Sequence, residues 1–151
     1  MRNNKFTRGI RNNNPANIRK GSNWLGLCSV QNDSAFCQFV TMPFGIRALL
    51  VLLRTYRNKY DKITLREIIH RFAPPTENNT WEYLVFVRNW LKSYYDGKGF
   101  KVDVDFDMCI NLWYNSKQPG AYIFPLCAAI CQIESRYELT EAIYDKAVKL
   151  L

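Results

Sequence analysis

The chain is poor in the side chains from which metal and redox sites are built. It has one histidine among 151 residues, and its five cysteines form no CxxC pair. Zinc sites use such pairs or several histidines, so we expect no metal and no cofactor. The odd cysteine count and the four-residue spacing of Cys127 and Cys131 predict buried, reduced thiols that pack as small apolar groups.

Long apolar runs are absent as well. The run at residues 48–53, between Arg47 and Arg54, is far short of the roughly 20 residues of a membrane-spanning helix. No apolar region follows the basic residues at the N-terminus, where a secretory signal peptide would have one. The sequence therefore predicts neither a membrane span nor standard secretory export.

Acidic side chains are scarce relative to basic ones. The chain has 13 Asp and Glu against 21 Lys and Arg, which gives a net charge of +8 at pH 7. A basic surface favours an anionic partner. The basic residues are scattered along the chain, which disfavours nucleic acid as that partner. A hydrophobic content of 48% is enough for the core of one globular domain.

Helical periodicity dominates the chain after residue 43. Helices are predicted at residues 44–60, from a Thr64 cap to Phe72, from an Asn79 cap through Leu91, from Asp103 or Asp105 through Trp113, at residues 122–135, and after a Thr140 cap. Residues 8–43 are irregular, with one short strand predicted at residues 35–40. We expect a mainly α, compact single domain over residues 8–151, preceded by a flexible basic lead-in at residues 1–7.

An unusually polar segment lies near the N-terminus. Residues 8–19 read R-G-I-R-N-N-N-P-A-N-I-R. Asparagine favours turns because its side chain bonds to neighbouring backbone, and Asn-Pro interrupts periodic structure. Two interpretations stay open: the amides satisfy the loop itself, or they bind a polar ligand.

Glu134 is the first candidate for chemistry, because it ends the apolar segment 122–135. Desolvation at the end of a buried helix would raise the pKa of its carboxyl group. A carboxylic acid that stays protonated near neutral pH can protonate a glycosidic oxygen. The alternative is that Glu134 pairs with Arg136 or an N-terminal arginine and only locks the helix.

Two further carboxylates are candidates. Glu77 follows Pro74 and Pro75, a rigid platform that could project it into a cleft; it could equally cap the helix that follows. Asp33 could support a water or an oxocarbenium ion as a second carboxylate, or be an ordinary turn residue.

Four stretches of the chain resemble a family of small phage and prophage proteins with a signature close to G-x-R-N-N-N-P-G-N-I-R. They are residues 8–19 with 24–26, residues 36–39 with 44–49, residues 69–75 with 77–80 and Tyr83, and residues 130–134. The chain departs from the family pattern at Ala16, where glycine is usual, and at Glu134-Ser135-Arg136, where Glu-Asn-Gly is usual.

This family is often labelled a virion structural protein, and it is similar to the lysozyme-like superfamily of muramidases and lytic transglycosylases. The resemblance implies a lysozyme-like fold and cleavage of the β-1,4 bond between N-acetylmuramic acid and N-acetylglucosamine. In many lytic transglycosylases a Glu-Ser pair ends the catalytic helix near the start of the domain. Here it lies near the end of the chain, so the match requires a permuted order.

A glycan substrate would give the polar segment a function. Amides bond sugar hydroxyl and N-acetyl groups, aromatic faces stack on sugar rings, and guanidinium groups bind carboxylates in bidentate fashion. The substrate-binding residues predicted on this basis are Arg11, Asn12, Asn13, Asn14, Asn17, Arg19, Trp24 and Arg47. The expected partners are peptidoglycan strands and, as a second class, other virion proteins.

Three hypotheses follow from these patterns. The first is a peptidoglycan-cleaving glycosidase, made in the bacterial cytoplasm and acting at the cell wall after lysis, virion delivery or specialised secretion. The second is a non-enzymatic virion structural or wall-binding protein that uses the same loop. The third, nucleic-acid binding driven by the positive charge, is the weakest, because the charge is scattered among many carboxylates.

Overall fold

Helices dominate residues 6–151, the part of the chain that the computed structural model describes. The elements are α1 (Arg8–Arg11), α2 (Met42–Tyr60), α3 (Leu65–Phe72), α4 (Thr80–Gly97), β1 (Trp113–Asn115), β2 (Gln118–Pro119), α5 (Ile123–Ser135) and α6 (Glu141–Lys149). The two strands pair antiparallel. The prediction of a mainly α, compact single domain is confirmed.

The predicted caps start three of the helices. At α3 a complete capping box forms: Glu67 N donates to Thr64 Oγ1 at 3.2 Å, and Thr64 N donates to Glu67 Oε1 at 3.1 Å. At α4 and α6 the cap is a single bond: the side chains of Asn79 and Thr140 each accept from the backbone N–H three residues later. Helix α4 continues past the predicted Leu91 to Gly97.

Helix α5 forms the centre of the core. Its residues 125–131 are all buried, and it packs against α4, α2 and α1. Helix α2 also packs against α6. The apolar character of α5 on most sides is explained by this surrounding of helices. No helix within residues 6–151 combines the length and apolarity that a membrane crossing requires.

The helix predicted from Asp103 or Asp105 through Trp113 is wrong, and residues 101–112 are irregular. The backbone of this segment pairs with the chain before α3: Leu65 N donates to Met108 O, and Ile110 N donates to Ile63 O, both at 3.1 Å. Val104 and Ile110 are buried in this extended arrangement. Long-range pairing therefore overrides the local helical spacing.

The strand predicted at residues 35–40 is present only as two isolated antiparallel bridges, Arg19 with Phe36 and Leu27 with Phe39. Backbone hydrogen bonds join residues 35–40 to residues 12, 18, 20, 26 and 28. Gln31 adds two side-chain bonds: its Nε2 donates to Gln38 O at 2.8 Å, and its Oε1 accepts from Gln38 N at 2.8 Å. The segment is thus held by scattered backbone bonds and an amide side chain, without a continuous ladder.

The N-terminal end of the described chain is joined to α5. Thr7 Oγ1 donates to Ser135 O at 2.7 Å, and a Cβ at Gly9 would collide with Ser135 Oγ. Thr7, the last residue of the predicted lead-in, is thus hydrogen-bonded to the end of α5. Residues 1–5 of that lead-in lie outside the described residues.

Candidate functional site

Two adjoining pockets form an open cleft between the irregular N-terminal segment and the helices. The first, about 390 Å³, has Glu134 and Glu77 among its lining residues and is called the glutamate pocket. The second, about 850 Å³, has Arg47 and Lys59 among its lining residues and is called the basic pocket. The residues that line both are Ser22, Trp24, Leu52, Tyr56 and Arg71.

Glu134 lines the glutamate pocket from the last turn of α5 and is half-buried. Within residues 6–151 its carboxylate makes no ion pair, so the predicted alternative of a locking arginine is not realised there. Burial raises the pKa of the Glu134 carboxyl to about 7, and the positive charge of Arg19 opposes the shift. Near neutral pH the group can therefore hold or release a proton.

Tyr83 is a neighbour of Glu134 to which the sequence assigned no role. It is 7% exposed on α4, and its hydroxyl is buried without a hydrogen-bond partner in the described structure. Burial raises the pKa of Tyr83 well above its ordinary value, and the charge of Glu134 adds to that shift. The hydroxyl thus stays protonated and is available as a donor.

Asn17 joins the polar N-terminal segment to the end of α5. Its backbone is left-handed, with φ of 51°, and its Nδ2 donates to Glu134 O at 3.1 Å. Its Oδ1 is buried without a hydrogen-bond partner within the described residues. Because Asn17 also lines the glutamate pocket, it contacts both the candidate acid and the space beside it.

Arg19 and Trp24, two of the residues predicted to bind substrate, line the glutamate pocket. The Arg19 guanidinium lies 5.3 Å from the ring centroid of Phe36 and 3.9 Å from Glu77. The Trp24 Nε1 is buried without a hydrogen-bond partner in the described part of the chain. The Arg19 side chain is 63% exposed and is therefore the polar group of these two residues that a ligand in the pocket can reach.

Glu77 lies at the exposed rim of the glutamate pocket. Its side chain is 55% exposed, and its contact with Arg19 is long and open to solvent. Such a pair contributes little to stability. Glu77 shares the pocket with Glu134, but its surroundings do not desolvate it.

Asp33 lies outside the lining of both pockets, so the expectation that it supports chemistry beside Glu134 does not fit its placement. Its carboxylate accepts two hydrogen bonds from Arg8, at 2.6 and 2.7 Å, one from Asn12, and two from the backbone of residues 35 and 36. The Arg8 bonds, ahead of the others, hold the pKa of Asp33 far below its usual range. The carboxylate therefore organises the N-terminal segment.

Arg11, Asn12, Asn13 and Asn14 also lie outside the lining of the two pockets. Asn14 is fully buried; its Nδ2 donates to Ile18 O and Cys37 O, and its Oδ1 accepts from Ile18 N, each at 2.9 Å. Asn12 bonds Asp33 and Gln38, Asn13 bonds Phe39 O, and Arg11 bonds Phe6 O. The hydrogen bonds of these four side chains are thus made within the protein. This matches the interpretation in which the polar groups of the segment satisfy the loop itself.

Arg47 lines the basic pocket from α2, as a predicted substrate-binding residue. Its Nε donates to Leu150 O at 3.0 Å, which ties α2 to the end of α6. Burial, reinforced by the charge of Arg54, lowers the pKa of Arg47. It is a partly desolvated cation at the wall of an open pocket.

The remaining wall comes from residues to which the sequence analysis gave no role. Tyr56 is 7% exposed, and burial raises its pKa to about 12. The Arg71 guanidinium lies 3.5 Å from the centroid of the Tyr60 ring and 5.2 Å from that of Tyr56. Both Tyr56 and Arg71 follow the helical spacing of ordinary amphipathic helices, so only packing shows that they meet at the cleft.

Comparison with known proteins gives one informative similarity. No family model matches the chain. Protein P5 of Pseudoalteromonas phage PM2 is 44% identical over 90 residues, which is 57% of this chain and 56% of the relative. The chain thus matches little more than half the length of this relative. It is similar to a bacteriophage protein whose name describes no activity.

Proposed function

We propose that the protein is a peptidoglycan-cleaving glycosidase that uses Glu134 as its general acid. The scissile bond is the β-1,4 bond between N-acetylmuramic acid and N-acetylglucosamine. The observation that carries the proposal is the half-buried Glu134 carboxyl, whose pKa is raised to about 7 at the wall of an open cleft. An acid needs such a pKa to donate a proton at neutral pH and to accept one back.

The chemistry requires two proton transfers at the same carboxyl group. Glu134 first protonates the bridging oxygen as the bond from that oxygen to the anomeric carbon breaks. The resulting carboxylate then removes a proton from the hydroxyl that attacks the anomeric carbon. In a hydrolase this hydroxyl belongs to water, and in a lytic transglycosylase it is the muramic acid's own hydroxyl.

The second carboxylate of the cleft is Glu77. In residues 6–151, Glu77 and Glu134 are the two carboxylates that line the glutamate pocket. Glu77 is exposed to solvent, as a group that holds the attacking water in place would be. A hydrolase would depend on Glu77 to hold that water, whereas a transglycosylase, in which no water attacks, would not.

The walls of the cleft suit a glycan chain. Trp24 and Tyr56 offer aromatic surface, and Asn17 and Asn78 offer amides. The similarity to a phage protein supports a phage or prophage context, in which virion delivery or lysis would bring the protein to the wall.

Digestion of purified cell walls tests the proposal. Soluble products are separated and weighed by mass spectrometry; we expect muropeptides, with reducing ends from a hydrolase or 1,6-anhydro ends from a transglycosylase. Glu77→Gln should abolish release only in the first case. Walls that bind the protein but stay intact at every pH would reject the proposal and favour the non-enzymatic virion or wall-binding protein.

A further inference from the structure

The basic pocket contains cations and aromatic rings but no carboxylate. Its lining includes Arg47, Lys59 and Arg71 and neither Asp nor Glu. Both carboxylates of the cleft lie in the adjoining glutamate pocket. The glutamate pocket also has Arg19 and Lys20 in its lining, so the basic pocket differs from it in having no carboxylate among residues 6–151 to offset its cations.

The three cations are not neutralised by the fold. Within residues 6–151, none of them forms an ion pair with a carboxylate. Arg47 is partly desolvated and feels the like charge of Arg54, two effects that an approaching anion would offset. Its bond to Leu150 O involves Nε and a neutral carbonyl, so the charge itself is left unpaired.

Aromatic contacts hold the other two cations in place. Lys59 Nζ lies 5.4 Å and the Arg71 guanidinium 3.5 Å from the centroid of the Tyr60 ring. Cation–π contacts orient a cation without removing its charge. The pocket thus presents pre-positioned positive groups, which reduces the entropy lost when an anion binds.

The basic pocket is continuous with the site of the proposed chemistry. Arg71, Tyr56 and Trp24 line both pockets. A sugar chain bound against Glu134 would therefore place its substituents within reach of the cations.

We propose that the basic pocket binds the carboxylates of a peptide attached to the glycan strand. The preferred ligand is then a peptide-bearing, anionic glycan, and a bare glycan or a neutral polymer of N-acetylglucosamine binds more weakly. This inference rests on the proposed function for the position of the sugar chain. Arg47, Lys59 and Arg71 act here as specificity residues that touch the peptide, not the bond that breaks.

Binding measurements on soluble glycan strands test the inference separately from cleavage. The Glu134→Gln protein is titrated at low salt with strands that carry peptides and with the same strands after an amidase has removed the peptides. We expect about tenfold tighter binding of the peptide-bearing strands. Adding Lys59→Gln and Arg71→Gln should reduce this preference to less than about twofold.

Two single substitutions of exposed lysines separate a loss of binding from a loss of folding. Lys59 is exposed, so Lys59→Gln should fold normally and reduce the preference about threefold. Lys92→Gln, an equal change of charge at an exposed site outside both pockets, should leave the preference intact. A loss of preference that is the same in both variants would reduce the effect to net charge and overturn the inference.

Other outcomes are equally decisive. Equal affinity for the two kinds of strand overturns the inference. So does a single-stranded DNA oligomer that binds more tightly than peptide-bearing strands, since it would assign the pocket to phosphate. A clear peptide preference in a wild-type protein that cleaves no walls would support the inference while rejecting the proposed enzyme.

Discussion

At the residue scale, the state of Glu134 is set by what surrounds it. The sequence places this glutamate at the end of an apolar helix, from which a raised pKa could be predicted. The sequence could not show whether an arginine would neutralise the carboxylate. Arg136 and the N-terminal arginines were both candidates for that ion pair, and only the fold decides which of them approach it. In the structure, burial raises the pKa of Glu134 by more than the positive charge of Arg19 lowers it.

The raised pKa of Glu134 predicts a pH-dependent gain in stability for Glu134→Gln. Between pH 4.5 and about 7 the folded protein holds a proton that the unfolded chain has released, so wild-type stability falls as the pH rises through this window. Urea unfolding should show equal stability of the two proteins near pH 4. At pH 8 the variant should be more stable by about 2 kcal/mol, since partial exposure limits the full effect. A variant that is less stable at pH 8 would mean that the carboxylate has a partner.

Two asparagines of the same segment have different tasks, which their residue type cannot reveal. Asn14 makes three hydrogen bonds to backbone groups in the core, whereas Asn17 makes one and faces the cleft. Sequence reasoning predicted both as ligands of the same kind. Only the positions of residues 37 and 134, far along the chain, separate the two.

Substitution of these asparagines should therefore affect different properties. Asn14→Ala leaves buried backbone groups without partners and should cost about 3 kcal/mol of unfolding free energy. Asn17→Gly keeps a residue that tolerates φ of 51° and should cost about 1 kcal/mol. Glycan binding should be weakened more by Asn17→Gly than its small effect on stability explains. The assignment of Asn14 to the core and Asn17 to the cleft would be contradicted if Asn17→Gly lost more stability than Asn14→Ala and bound glycan as well as the wild type.

At the element scale, the helices with local start signals were the predictable ones. Thr64, Asn79 and Thr140 begin α3, α4 and α6 as expected, because a cap and its helix are neighbours in sequence. The segment 101–112 was not predictable in this way. Its backbone partners lie at residues 63–66, and pairing across that distance leaves no local signal.

The contact between α2 and the polar segment gives a prediction at this scale. A Cβ at Gly45 would collide with the carbonyl of Asn13, whereas nothing lies within 4 Å of a Cβ at Gly97 in α4. Gly45→Ala should therefore destabilise the protein by about 2 kcal/mol or more, because one of two packed backbones must shift. Gly97→Ala, the matched change, should be neutral or stabilising by up to about 1 kcal/mol. Equal melting temperatures for the two variants would argue against this close approach.

At the scale of the whole molecule, the cleft is a product of packing. Its walls come from the polar segment, α2, α3, the turn after α3 and the end of α5. The mainly helical class, most of the helices and the place of Glu134 at the end of an apolar helix could be predicted from the sequence. The structural role of Asp33 and the positions of Tyr56, Arg71 and Tyr83 could not, since each depends on how distant elements meet.

The rate of wall solubilisation by three proteins from pH 5 to 9 tests the central claim most directly. The proteins are the wild type, Glu134→Gln, and Glu138→Gln, which changes an exposed glutamate outside both pockets. We predict that the wild type loses about tenfold in rate for each pH unit above about 7, as its acid loses its proton. Glu138→Gln should follow the same curve, and Glu134→Gln should be at least about 1,000-fold slower throughout. Undiminished solubilisation by Glu134→Gln would contradict the account.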